Sequence, residues 1–204
     1  RQLALGAGFS DPFIWDYLYD PVDLPHPSHT YWMPLSSIVS AGGMYLFGNT
    51  FRAAQAPQLL LAIFLPLLVV TLAKRFGADR KMVWSAGLVS IFSGFYLPYF
   101  VTTDSFTLFA WIGSATLILA ADASLQPKAS RWFFVGLLVG LGYLTRADAL
   151  LLLVPIAAAV LWSGEERIKA VIMLSIGFSL CTGPWIIRNL IDTGDAFPFG
   201  ARRM

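Results

Sequence analysis

Residues 53–73 read AAQAPQLLLAIFLPLLVVTLA, and Lys74 and Arg75 follow directly. A membrane-spanning helix needs roughly 20 predominantly apolar residues, because each residue adds about 1.5 Å to a helix and the hydrocarbon core is about 30 Å thick. This stretch meets that requirement, carries no charge and ends at a basic pair. It therefore predicts a membrane-spanning helix.

Three further stretches have the same character. They are residues 82–103 (MVWSAGLVSIFSGFYLPYFVTT), 105–121 (SFTLFAWIGSATLILAA) and 170–187 (AVIMLSIGFSLCTGPWII). Charged residues make up 13% of the 204 and hydrophobic residues 57%. A soluble domain carries about 25% charged residues. The sequence predicts an all-α fold, a polytopic bundle of transmembrane helices.

Basic residues lie in three short segments between the apolar stretches. These residues are Lys74, Arg75, Arg80 and Lys81, then Lys128 and Arg131, then Arg167 and Lys169. The positive-inside rule places such segments in the cytoplasm, which puts Asp104 and the segment after residue 187 on the external side. The net charge of only +2, spread over short loops, argues against a nucleic-acid partner.

The same rule divides the chain into three parts. We expect residues 1–52 to form an external loop with an interfacial helix, 53–187 the transmembrane helices, and 188–204 the start of another external loop. Residues 32–48 (WMPLSSIVSAGGMYLFG) are either that interfacial helix or a true span. The interfacial alternative is preferred, because a crossing there would put Lys74 outside. The start at Arg1, without a methionine, suggests a fragment of a larger membrane protein.

Residues 132–162 contain two short apolar stretches separated by Arg146-Ala-Asp148. Two short helices that meet near the external side keep both flanking basic segments inside, whereas one long tilted helix would bury both charges. Residues at spacing i,i+2 do not face each other on a regular helix, so a local ion pair is not expected. The two charges either pair with separate structural partners or serve function, with Arg146 binding an anionic headgroup.

Other polar residues on the external side are candidates for chemistry. Asp104 is either a helix N-cap or an acid that faces a cavity and binds a metal or a hydroxyl. The segment from Asp11 through Asp16 to residue 20 mixes acids with aromatic residues, as sugar sites and interfacial loops both do. His26 and His29 could supply two ligands to a divalent metal, but no further ligand set completes the site.

Four stretches, in order, resemble the GT-C superfamily of membrane glycosyltransferases, the branch of protein mannosyltransferases and the aminoarabinose transferase of lipid A. The stretches are LALGAGFSDPF (3–13), HTYWMPLSSIVSAGGMYLFGNTFRAA (29–54), LVGLGYLTRADALLLLVP (138–155) and GPWIIRNLIDTGDAFPF (183–199). The resemblance implies a polyprenyl-phosphate-linked sugar as donor, a lipid, glycan or protein acceptor, and inverting transfer on the external face.

The resemblance also implies roles for particular residues. Arg146 stands at the family's Leu-Thr-Arg position and is expected to bind the lipid phosphate, with Arg188 assisting. Asp104 takes the place of the acid in the second external loop. The family's catalytic base would fall before Arg1, and Asp11 and Asp16 are poor substitutes because they lie downstream of that position.

One motif of the family is replaced. The family carries a lysine before the Pro-Leu segment, and this chain has Ser28, His29 and Thr30 there. We count His29, Asp148, Asp11 and Asp16 with the two arginines as substrate-binding candidates.

Two other functions remain as alternatives. A transporter or flippase of a lipid-linked substrate would also place charges within the bundle, although the two halves show no internal repeat. A membrane subunit with a degenerate site would also explain the missing lysine. The short loops and simple signals are typical of a multi-pass protein of a prokaryotic plasma membrane, surrounded by membrane lipids.

Overall fold

The computed structural model describes residues 1–14, 21, 23–92, 94, 97–126, 128–162 and 167–197. Its α-helices are α1 Leu35–Phe47, α2 Phe51–Ile63, α3 Leu65–Arg75, α4 Arg80–Ile91, α5 Leu97–Phe100, α6 Phe106–Leu125, α7 Ala129–Thr145, α8 Leu153–Trp162 and α9 Arg167–Thr193. Short 3-10 helices cover Leu3–Leu5 and Ala147–Leu152. Two strands, β1 Ser10–Asp11 and β2 His26–Pro27, pair antiparallel with Asp11 opposite His26. The all-α prediction is confirmed.

Three stretches of helix are long and apolar enough to cross a membrane: Phe51–Arg75, Phe106–Leu125 and Arg167–Thr193. The first joins α2 and α3 through Phe64 and covers the predicted span 53–73. It begins at a Thr50 cap, whose Oγ1 accepts from the Ala53 N–H at 3.2 Å, and ends with Lys74 and Arg75 in its last turn. Basic side chains there complement the negative end of the helix dipole. Helix α9 continues past residue 187, where the predicted span ends, to Thr193, so Arg188 is helical.

The prediction of one continuous helix across residues 82–103 is wrong. Helix α4 begins at an Asp79 cap, whose carboxylate accepts from the Met82 N–H at 2.8 Å, and ends at Ile91. Gly94 then has φ of 61°, a left-handed conformation that cannot continue a right-handed helix. The short α5 follows and contains Pro98. The apolar composition predicted the segment but not its interruption.

Helix α1 is 13 residues long. At about 1.5 Å per residue it reaches about 20 Å, less than the thickness of a hydrocarbon core. Its last turn exposes Tyr45, Leu46 and Phe47. These properties agree with a helix that lies along a membrane surface, and the side of the membrane stays a prediction.

The chain divides into two compact units. The first consists of Arg1–Leu35 and Ile112–Met204, and the second of Ser36–Trp111. The core of the first unit brings together buried side chains of four helices: Ala120 and Ala123 of α6, Trp132, Val135 and Val139 of α7, Ile156 and Val160 of α8, and Ala170 of α9. Burial of these apolar side chains stabilises the unit.

Within this unit, glycines allow α7 and α9 to pack backbone against backbone. A Cβ at Gly136 would overlap the Leu174 carbonyl oxygen, and a Cβ at Gly177 would overlap that of Phe133. A Cβ at Gly140 would lie 2.7 Å from Cys181 Cβ. Gly136 and Gly140 form a small-xxx-small pattern, which permits close contact between membrane helices. Residues later in α7 contact residues later in α9, since Gly136 meets Leu174 and Gly140 meets Cys181. The two helices therefore run parallel.

In the second unit, α3 and α4 form a hairpin around Gly87, where a Cβ would lie 2.6 Å from Val70 Cγ2. The start of α6 is tied to α2 because the Trp111 indole N–H donates to the Leu61 carbonyl at 3.0 Å. Helix α1 approaches α2 at Gly43, where a Cβ would overlap the Ala53 carbonyl oxygen. Small residues again permit the close contacts.

Candidate functional site

The carboxyl ends of α7 and α9 meet at one end of the first unit. Tyr143, Leu144 and Trp185 form a buried cluster there, with Phe9 and Met33 of the amino-terminal loop packed against it. Arg146 follows α7 directly, and Arg188 lies one turn after Trp185 on α9. The parallel packing of the two helices therefore places both arginines at the same end of the unit.

Arg146 and Asp148 form a local ion pair, contrary to the expectation from their spacing. Arg146 Nε lies 3.0 Å from Asp148 Oδ1, and Nη2 lies 3.0 Å from Oδ2. The spacing rule applies within a regular helix, but α7 ends at Thr145 and Arg146 is extended, with φ of −152° and ψ of 132°. The extended residue turns its side chain toward the 3-10 helix that begins at Ala147.

The break at Arg146 agrees with the two-helix interpretation of residues 132–162. A Cβ at Gly142 would lie 3.3 Å from Ala149 Cβ, so the 3-10 helix folds back on the end of α7. Helix α8 then returns along the bundle, since Ile156 and Val160 share a core with Trp132 and Val139. A single long helix through Arg146 is excluded.

The ion pair at the break is accessible. The side chain of Arg146 is 30% exposed and that of Asp148 is 50% exposed. Exposed ion pairs contribute only about 0.2–1 kcal/mol, because water and ions compete for both groups. The Asp148 carboxylate therefore orients the Arg146 guanidinium but binds it only weakly.

Arg188 anchors the amino-terminal loop to α9. Its Nη1 donates to the Ser28 carbonyl at 3.0 Å, and its Nη2 donates to the Phe9 carbonyl at 3.0 Å. Nε lies 2.7 Å from Asp192 Oδ2 one turn further along the helix, and the guanidinium carbon lies 4.9 Å from the centre of the Trp185 ring. This side chain is only 17% exposed. The fixed fork of arginine suits such a multiple anchor.

His29 lies beside this anchor. Its ring packs edge-on against Phe9, with centroids 5.1 Å apart, and its Nδ1 lies 2.7 Å from the Ser28 hydroxyl. Its backbone has φ of 60°, an uncommon left-handed conformation for a residue with a side chain. Burial lowers the pKa of His29 below its ordinary value of 6.5; nearby Asp11 opposes this change and Arg188 adds to it. The neutral imidazole is therefore favoured in the folded loop.

The lowered pKa of His29 predicts a pH dependence of stability. Since the unfolded chain binds the proton more readily, the free energy of unfolding should be at its plateau above pH 6.5 and decrease as the pH falls through 6.5 toward the lower folded value. Thermal unfolding of the wild type and His29→Gln between pH 8 and 5 measures this. The variant should lose less stability across that window, and equal losses in both proteins would contradict the prediction.

Other predicted site residues are distributed as follows. Asp11 lies in β1 opposite His26, whose ring nitrogens lie 3.1 Å from the Pro27 carbonyl oxygen and 3.2 Å from that of Phe13. Asp16 lies outside the described residues. No group of three or more His, Cys, Asp or Glu side chains that could hold a metal ion occurs in the described part of the chain.

Asp104 belongs to the second unit. Its Oδ1 accepts from the backbone N–H and the hydroxyl of Ser105. Helix α6 starts at Phe106, so these bonds reach only the residue that precedes the helix. An N-cap accepts from the N–H groups two or three positions into a helix, and these contacts do not have that geometry. The N-cap interpretation therefore receives no support from them.

Sequence reasoning missed the anchoring role of Arg188 and its aromatic partners. The local signal was present, since Trp185, Arg188 and Asp192 are spaced i, i+3 and i+7 on one face of a helix. The sequence does not identify Phe9 and Ser28 as partners in the loop, because Arg188 contacts their backbone carbonyls and not their side chains.

Apolar helices long enough to span a bilayer, with charged residues at one end of the packed helices, define a multi-pass helical membrane protein. The family model for dolichyl-phosphate-mannose-protein mannosyltransferase matches residues 26–187. The chain belongs to this family, and the GT-C resemblance is confirmed. The match includes His29, Asp104, Arg146 and Asp148.

A bacterial relative matches over a longer range. The undecaprenyl phosphate-alpha-4-amino-4-deoxy-L-arabinose arabinosyl transferase of Erwinia tasmaniensis is 26% identical over 196 residues, in an alignment that covers 92% of this chain and 34% of that protein. The chain thus spans about a third of the length of this relative. No solved structure matches the chain.

Proposed function

We propose that this chain contributes to a membrane glycosyltransferase of a prokaryotic plasma membrane. The enzyme moves a sugar from a polyprenyl-phosphate donor to a lipid, glycan or protein acceptor on the external face. Family membership supports the reaction class, and the relative's name supports an undecaprenyl-phosphate-linked donor. The transferred sugar is a hexose or a pentose.

The observation that carries the proposal is the position of Arg146. A cationic fork follows the end of α7, at a break in the helix, and its side chain is 30% exposed. Arg146 interrupts an otherwise apolar stretch, and charged residues in such stretches of membrane proteins usually serve function. A guanidinium binds phosphate through two parallel N–H donors. The phosphate of a lipid-linked donor, held at the membrane surface, suits this fork.

The proposed reaction is a displacement at the anomeric carbon. The acceptor hydroxyl oxygen forms a new bond to that carbon while the bond from the carbon to the phosphate oxygen breaks. The polyprenyl phosphate leaves with the electron pair, and the hydroxyl proton passes to a carboxylate base. Arg146 stabilises the negative charge that develops on the leaving phosphate, which is electrostatic catalysis.

Other residues have supporting roles in this proposal. Arg188 and His29 keep the amino-terminal loop, with Asp11, packed against α9 at the end of the first unit that carries Arg146. Asp104 is the candidate catalytic carboxylate of this chain, acting on the acceptor or on a divalent metal.

Transfer of radiolabelled sugar from a polyprenyl-phosphate donor, by the full-length protein in membranes, tests the proposal. Arg146→Ala should lower turnover by about 10²-fold or more, since loss of one electrostatic donor has effects of this size. Asp104→Asn should also impair transfer, because it removes the proposed catalytic carboxylate.

Arg167→Gln is the matched control, because Arg167 is an exposed arginine at the opposite end of α9. It should transfer at the wild-type rate. Normal transfer by a correctly inserted Arg146→Ala variant would refute the role of this residue. Movement of the intact lipid-linked sugar without transfer, by the wild type, would favour the transporter alternative.

A further inference from the structure

We infer that Asp148 is a built-in competitor for the phosphate at Arg146 and thereby sets how tightly the protein holds its lipid-linked donor and product. The inference rests on the proposed function, because it takes Arg146 as the phosphate site. It assigns Asp148 a role opposite to that of a ligand-binding residue.

The geometry of the pair is that of an anion bound to the guanidinium edge. Arg146 Nε lies 3.0 Å from Oδ1 and 3.3 Å from Oδ2 of Asp148, while Nη2 lies 3.0 Å from Oδ2. Two oxygens of a phosphate bind the same edge with the same spacing, since carboxylate and phosphate are both recognised by the arginine fork. A phosphate that binds Arg146 through Nε and Nη2 must therefore displace the carboxylate.

The backbone around the pair is fixed, so displacement involves only side chains. The Arg146 N–H donates to the Gly142 carbonyl at 2.8 Å, and the Arg146 carbonyl accepts from the Ala149 N–H at 3.0 Å. The side chain of Asp148 is 50% exposed and can rotate into solvent without opening the packed core. Ala149, the next residue, is fully buried and holds the 3-10 helix in place.

The charges favour exchange of the Asp148 carboxylate for the monoester product. A phosphate monoester carries about −1.5 to −2 at pH 7, more than the single charge of a carboxylate. After displacement, Asp148 still lies two residues from Arg146 and repels the bound phosphate. The product of transfer, a polyprenyl phosphate, carries more negative charge than the diester donor. Asp148 therefore weakens binding of the product more than binding of the donor. This difference promotes release of the product.

Calorimetry with the full-length protein in phosphatidylcholine nanodiscs tests the inference, with farnesyl phosphate as the probe and farnesol as its uncharged counterpart. Asp148→Asn removes the competing charge and keeps the shape of the side chain. We expect this variant to bind farnesyl phosphate about two- to fivefold more tightly than the wild type, the range that an exposed ion pair provides. Farnesol should bind both proteins equally.

A charge swap separates competition from a structural role. Arg146→Asp combined with Asp148→Arg keeps an ion pair at the break, so its melting temperature should match that of the wild type. Its preference for farnesyl phosphate over farnesol should be lost or strongly reduced, because the cation has moved onto the 3-10 helix. Equal or weaker binding by Asp148→Asn would overturn the inference, as would an unchanged preference in the swap. Absence of sugar transfer by the wild type would contradict the proposed function and leave these binding results standing.

Discussion

Replacing Gly177 by alanine should destabilise the protein by about 1–3 kcal/mol, although alanine is the better helix former. The added Cβ would overlap the Phe133 carbonyl oxygen, which belongs to a backbone and cannot rotate away. Helices α7 and α9 would have to separate, and the contacts at Gly136 and Gly140 would loosen with them. Reversible unfolding of the protein in bicelles, followed by circular dichroism, measures the loss.

Gly42→Ala is the matched control. Gly42 is also helical, but a Cβ there meets no neighbouring atom within 4 Å. This variant should be as stable as the wild type, or up to about 1 kcal/mol more stable, because alanine loses less backbone entropy than glycine. If Gly177→Ala behaved like Gly42→Ala, the close backbone contact of α7 and α9 would be wrong.

Replacing Arg188 by glutamine should release the amino-terminal loop and lower stability by about 3 kcal/mol. The variant loses a largely buried cation, and hydrogen bonds to charged groups contribute about 1.5–3 kcal/mol each. The Phe9 and Ser28 carbonyls would lose their donors, and Asp192 would lose its partner. Chymotrypsin should then cleave at Phe9 and Phe13 in nanodisc-embedded protein several times faster than in the wild type.

Two further variants serve as comparisons for this cleavage rate. Arg188→Lys keeps the positive charge but lacks the fork, so we expect intermediate cleavage. Arg167→Gln removes an exposed arginine from the other end of the same helix and should leave cleavage unchanged. Equal cleavage of wild type and Arg188→Gln would show that the loop is held by other contacts.

Composition and charge were sufficient to predict most of the membrane helices. The predicted spans 53–73, 105–121 and 170–187 correspond to the helices Phe51–Arg75, Phe106–Leu125 and Arg167–Thr193. Long apolar runs are a reliable signal of membrane helices, because a helix is the simplest way to hydrogen-bond every backbone group in lipid. The same signal could not show the break after Ile91, since the left-handed backbone of Gly94 leaves hydrophobicity unchanged.

The residues of the candidate site could be predicted from the sequence, but the contacts between them could not. Arg146 and Asp148 were singled out as charges among apolar residues, whereas their pairing depends on where α7 ends. Arg188 contacts residues 160 and 179 positions away, a relation that a single sequence does not contain. The roles assigned to Asp104, Arg146 and Asp148 stay predictions until the variants above are measured.

The anchor at Arg188 has a consequence for how this loop can change over time. Its two long-range hydrogen bonds end on main-chain carbonyls, a group that every amino acid supplies. Side chains along the loop can therefore be exchanged without removing these bonds, provided the path of the chain is kept. The exposed surface of the loop can therefore diverge during evolution while one arginine continues to hold the loop against α9.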